Sequence, residues 1–162
     1  MNDPGFKALQ EVAVVGSVAN FDKSCPADKT AAIEKNDDLT NDEKAEEIKK
    51  IEIEWEEKVK TMLYLEMPTT GDASESGLIK FFQPLGDIQE IRSQFPIARG
   101  DKDKQVRFPF NSAFKFAYSV NEYQRSDSEY CVFLKGAPEK VWDRCKYIDV
   151  GGEPVPLTPE WR

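Results

Sequence analysis

A chain of 162 residues, 40% hydrophobic and 32% charged, is long enough for one domain with a buried core and too apolar to be disordered. Its net charge of −8 argues against nucleic acid, and no apolar run approaches the roughly 20 residues of a membrane-spanning helix. Histidine is absent, which excludes Ser-His and Cys-His catalysis and the common His-containing zinc sites.

The acidity is uneven. Asp22 to Lys60 holds 13 acidic and 8 basic residues, so the remainder is only mildly acidic and can still accept a phosphate-bearing ligand. Three cysteines, Cys25, Cys131 and Cys145, have no metal-like spacing and fit a reducing compartment. No basic-then-apolar signal opens the chain. The expectation is a soluble, monomeric domain with no metal site.

Residues 5–19 read as a helix with Phe6, Leu9, Val12 and Ala13 on one face. Asp22 to Asn36 reads as loop, with Pro26 and many charges. Thr40 with Glu43 makes a capping box, opening a helix whose stripe is Ile48, Ile51, Trp55, Val59 and Met62. Asp72 and Glu75 offer a second capping box for a helix that Pro84 stops, followed by a short helix with Ile88, Ile91 and Phe95 inward. The period then changes to two: Phe114, Phe116, Tyr118 and Val120 alternate with Lys115, Ala117, Ser119 and Asn121. This places the aromatic residues in an apolar layer and aims Lys115 away from it, toward a ligand surface. Residues 105–110 and 130–135 read as neighbouring strands. Pro138 takes the first position of a helix reaching Cys145, and Gly151-Gly152 turns a closing hairpin. The fold class is α+β, with an antiparallel sheet flanked by helices.

The candidate chemistry lies in Lys135-Gly136-Ala137-Pro138-Glu139, at a strand-to-helix junction. A lysine there puts a flexible cation at the sheet edge. Gly136 lets a flat ligand approach the backbone, and the helix start adds positive partial charge. An ordinary strand-to-helix turn also explains these residues.

This pentapeptide resembles a signature of the nucleotide-binding domain in P-type cation-transporting ATPases. Gly71-Asp72-Ala73-Ser74-Glu75-Ser76 is similar to the family's acidic segment. Pro109-Phe110-Asn111-Ser112 with Lys115-Phe116 is similar to the segment carrying its adenine-stacking aromatic. The resemblance is closest to sodium/potassium and proton/potassium pump α-subunits and spans the chain outside an insert at about 22–60. It implies one nucleotide-binding domain over 1–162, with ATP as ligand and Mg-ATP in the full pump. By this resemblance Phe110 stacks on adenine, Glu75 accepts from its amino group, Lys135 and Gly136 line the cavity, and Lys115 adds positive charge. The implied partners are the phosphorylation and actuator domains of the same pump, at the cytoplasmic face of a membrane.

Departures matter too. Ala117 stands where the sodium/potassium pumps carry a glutamine that reaches the nucleotide. The resemblance implies a C-terminal truncation before the family's phosphate-approaching arginine, which Arg162 does not replace. Asp28-Lys29-Thr30 lies in the wrong context for the phosphorylated aspartate and reads as a chance tripeptide. The expectation is therefore ATP binding without hydrolysis. Stacking of roughly 1–3 kcal/mol plus a few weak charge contacts gives a dissociation constant on the order of a millimolar. The rival expectation is a pump-derived interaction module with weakened nucleotide binding.

Overall fold

The computed structural model describes residues 3–123 and 129–161; Arg162 lies outside the described residues. The chain divides into two compact units, one of residues 1–18 and 73–162, the other of residues 19–72.

The first unit opens with α1 (Pro4–Val15), capped by the Asp3 carboxylate, which accepts from the Phe6 amide at 2.8 Å. Its inward residues are Ala13, Val14 and Val15, whereas Leu9 is 58% exposed. The expected position of Leu9 on the buried face is thus corrected: only the C-terminal half of α1 is deeply covered. Next in this unit come α4 (Ala73–Phe82) and α5 (Ile88–Ser93), joined through a 3-10 turn at Gln83–Leu85. Ile79, Phe82, Ile88 and Phe95 are buried, as the helical spacing requires.

Three antiparallel strands follow in the order β3 (Arg107–Asn111), β4 (Phe116–Glu122), β5 (Tyr130–Gly136). Along β4 the buried residues are Ala117, Ser119 and Asn121, while Phe116, Tyr118 and Val120 are half-buried. This reverses the expected layer. The small and polar face lies inward because helices come close to it: Val15 of α1 and Phe95 after α5 cluster with Phe133 of β5. The aromatic face is built from rings that cover one another. Phe108 stacks on Tyr118 at 5.4 Å, and the Arg144 guanidinium lies 4.5 Å over Phe116. The unit closes with α6 (Pro138–Trp142), shorter than the expected run to Cys145, and the hairpin of β6 (Tyr147–Val150) and β7 (Glu153–Pro156). Gly151 and Gly152 both hold positive φ (66° and 92°), the geometry of a type I′ turn.

In the second unit, β1 (Asn20–Phe21) and β2 (Thr69–Thr70) pair antiparallel and bring the ends of the segment together. The expected loop contains α2 (Ala27–Glu34), started by Pro26 and continued by Ala31-Ala32. Asp28-Lys29-Thr30 belongs to this helix, and the Thr30 hydroxyl donates to the Ala27 carbonyl. The capping box forms as expected at α3 (Asn41–Thr61). Trp55, Val59 and Met67 make the core here, and the Trp55 indole donates to the Lys23 carbonyl at 3.2 Å. Replacing the cap by Thr40→Ala should cost about 1 kcal/mol of stability, read as reduced helicity and earlier urea unfolding of this unit.

Candidate functional site

The site lies on the inward face of the three-stranded sheet. Lys135 pairs in register with Ala117, and Phe133 with Ser119, so these four residues share a face. Lys135 Nζ donates to the Ser17 hydroxyl at 3.2 Å and forms an ion pair with Glu75. Glu75 stands in the first turn of α4, and its other carboxylate oxygen accepts from the Val18 amide at 2.8 Å. Lys135 and Glu75 side chains are only 22% and 12% exposed. A carboxylate and an ammonium, distant in sequence by 60 residues, thus meet in a largely desolvated corner.

Two arginines surround this pair. Arg92 of α5 donates to the carbonyls of Val14 at 3.1 Å and Ser17 at 3.0 Å, at the C-terminal end of α1. Burial, then the neighbouring Arg107, push Arg92 below the ordinary guanidinium range, and Glu75 opposes them. Burial also lowers Arg107, again opposed by Glu75. Glu75 thus pairs with Lys135 and also acts electrostatically on both arginines. Ser17, Arg92 and Arg107 carried no signal in the sequence reading. Only the parity of Arg107 with Ser119, once the strand register is known, places it on this face.

Phe110 reaches the same side through an irregularity. Phe108 pairs with Tyr118, but Asn111 pairs with Phe116, so β3 carries one extra residue. Such a bulge re-aims the side chains beside it. Phe108 joins the aromatic face, while Phe110 falls on the side of Ala117 and remains 64% exposed.

Lys115 differs from expectation. It is not a strand residue opposite Phe114; it ends the turn at 112–115 with φ 60°. The cause is Asn111, whose side-chain oxygen accepts from the amides of Ala113 at 2.8 Å and Phe114 at 3.3 Å, curling the chain before β4 starts. The Lys115 ammonium lies 3.8 Å from Glu139, both exposed. Its argued direction toward a ligand surface from strand alternation does not hold.

Most of the Lys-Gly-Ala-Pro-Glu pentapeptide braces this turn. A Cβ on Gly136 would meet the Lys115 carbonyl at 2.4 Å and the Phe116 Cα at 2.7 Å. The Ala137 amide donates to the Lys115 carbonyl at 2.8 Å, and Glu139 faces the Lys115 ammonium. Lys135 alone turns inward to Glu75. The space beside Gly136 that the sequence reading reserved for a ligand is filled by β4. A separate cavity of about 400 Å³, lined by Lys23, Glu56, Val59, Lys60, Met62, Tyr64 and Met67, lies in the 19–72 unit and contains none of these residues.

The geometry defines a class: an α+β domain in which an exposed aromatic and a partly buried charged pair lie on the same side of one antiparallel sheet. Comparison with known proteins narrows it. The family model described as P-type ATPase, cytoplasmic domain N, matches residues 52–162, and the chain belongs to that family. It is 38% identical over 99 residues to the sodium/potassium-transporting ATPase subunit alpha of Tetronarce californica, covering 60% of this chain and 9% of that protein. It is 42% identical over 93 residues to the Hydra vulgaris protein of the same name, covering 56% and 8%. It is 38% identical over 94 residues to the potassium-transporting ATPase alpha chain 1 of Xenopus laevis, covering 57% and 8%. The chain spans less than a tenth of the length of these relatives. No helix among the described residues is long and apolar enough to cross a membrane.

Proposed function

We propose that residues 1–162, with an insert at about 22–60, form the ATP-binding domain of a sodium/potassium-type cation pump. In this reading Phe110 stacks on adenine, Glu75 accepts from the amino group, and Lys135 bounds the cavity, while Gly136 serves it indirectly by letting β4 and β5 close beside Lys135. Lys115 contributes charge from the rim. In the full pump the domain carries Mg-ATP toward the phosphorylation domain, whose aspartate takes the γ-phosphate, with the actuator domain as a further partner. By itself the domain binds and does not hydrolyse, because phosphoryl transfer needs nucleophile, phosphate and metal positioned together.

The observation that supports the reading is the Glu75–Lys135 pair on the side of the sheet that Phe110 also takes, with the three residues drawn from separate segments. ATP titration followed by NMR tests it. The chain should bind with a dissociation constant on the order of a millimolar. Phe110→Ala should weaken binding by roughly 5- to 100-fold while leaving the melting temperature unchanged, because the ring is exposed. If several millimolar ATP moves no resonance near Phe110 and Lys135, the nucleotide reading fails. The interaction-module reading would then stand; exposed Leu63, Tyr64 and Leu65 in the 19–72 unit favour it.

A further inference from the structure

A second surface lies wholly within the 19–72 unit and contains none of the residues assigned to ATP. α3 ends at Met62, whose extended backbone (φ −73°, ψ 138°) turns the chain outward. The turn that follows is fixed by its own backbone: the Leu63 carbonyl accepts from the amides of Glu66 at 2.9 Å and Met67 at 3.1 Å. The Tyr64 ring packs on Phe21, with centroids 5.6 Å apart. Leu63 and Leu65 nevertheless stand 66% and 72% exposed. Large aliphatic side chains held on a hydrogen-bonded turn, beside further apolar surface, mark a site that a partner buries.

That further surface is the cavity of about 400 Å³, whose apolar wall is Val59, Met62 and Met67. Methionine walls adapt to differing apolar side chains. Leu63 and Leu65 lie outside the lining, in the turn that supplies it with Tyr64. A small molecule filling the cavity leaves both leucines bare, whereas a peptide running over the turn can cover them. Charge sets the sign of that peptide. The cavity carries Lys23 and Lys60 against Glu56. Lys60 is held by Glu57, but Lys23 is exposed and forms no ion pair among the described residues. At the same end, Lys29 and Lys58 stand 5.3 and 5.7 Å over the Trp55 ring. The acidic excess of the segment concentrates elsewhere, at residues 34–47, with seven carboxylates and two lysines.

We propose that this cavity and the Leu63–Leu65 turn form a docking surface for a protein segment whose apolar anchor is flanked by carboxylates. The anchor enters between Val59, Met62 and Met67, and a flanking carboxylate meets the Lys23 ammonium. Leu63 and Leu65 extend the contact beyond the cavity. The surface is independent of the nucleotide reading, so ATP binding and peptide binding stand or fall separately.

The test is NMR titration of the isotope-labelled full chain with capped tetrapeptides at up to about 10 mM. One peptide has two leucines between glutamates, a second has lysines in place of the glutamates, and a third has serines in place of the leucines. The glutamate–leucine peptide should shift the amides of residues 59–67 with a dissociation constant on the order of a millimolar, roughly fivefold tighter than its lysine counterpart. Lys23→Glu should abolish that preference without changing the melting temperature, because the side chain is exposed. Leu63→Ser should weaken binding by roughly threefold or more. No shift at 59–67, equal shifts with the serine peptide, or a preference that survives Lys23→Glu would each overturn the proposal. Shifts at these residues on diluting the peptide-free chain would give the surface to a second copy instead. Octanoate that moves the same amides while the leucine peptide does not would make it a small-molecule pocket, and overturn the proposal equally.

Discussion

Gly136→Ala should destabilise the chain even with no nucleotide present, by about 3 kcal/mol, and lower the melting temperature by roughly 5–10 °C. The reason is steric and involves backbone. The added Cβ would stand 2.4 Å from the Lys115 carbonyl oxygen and 2.7 Å from both Cα and Cβ of Phe116. None of these atoms belongs to the end of a flexible side chain, so β4 and β5 must separate at their register pair Gly136–Phe116. The hydrogen bond from the Ala137 amide to the Lys115 carbonyl would go with it. Calorimetry of the ligand-free chain is the direct measurement. Unchanged melting with weakened ATP binding would instead place the glycine at an open ligand wall, as the sequence reading had it.

Lys135→Ala should cost about 2–3 kcal/mol of stability and abolish measurable ATP binding. Removing the ammonium leaves the Glu75 carboxylate, only 12% exposed, without its ion-pair partner. The Val18 amide and the electrostatic support of Arg92 and Arg107 keep the cost below that of a fully isolated buried charge. Stability should therefore return when both charges are removed together. Glu75→Gln with Lys135→Met keeps the side-chain volumes and drops the charges, so urea unfolding should give a coupling energy of about 1 kcal/mol or more. Equal, additive losses in the two single variants and the double would mean that the pair is solvated and structurally idle. ATP binding should remain absent in the double variant, which separates the stabilising role of the pair from the ligand roles of Glu75 and Lys135.

Several parts of the structure were legible before any coordinates. The Thr40–Glu43 box, the Trp55 and Val59 stripe, the Gly151-Gly152 turn and the order of the three long strands all follow from local chemistry. The helix at Ala27–Glu34 was missed because charge and Pro26 suggested a loop, although proline at a helix start is compatible with the helix that follows. The sheet face was misassigned because alternation reports two faces without saying which one a helix covers. Aromatic side chains suggest a core face, but here they cover one another while Ala117, Ser119 and Asn121 receive the helices.

By itself the sequence determined the α+β class, the family and the candidates Glu75, Phe110 and Lys135, since motif order and hydrophobic period are properties of the chain. Tertiary structure decided what those residues do to one another. A bulge of one residue turns Phe110 toward the side of Ala117, and an Asn111-capped turn removes Lys115 from the strand. Gly136 and Glu139 brace that turn, while Lys135 reaches Glu75 across 60 residues of chain. Strand register and helix placement depend on long-range packing, and no spacing within a single segment encodes which carboxylate will meet which cation.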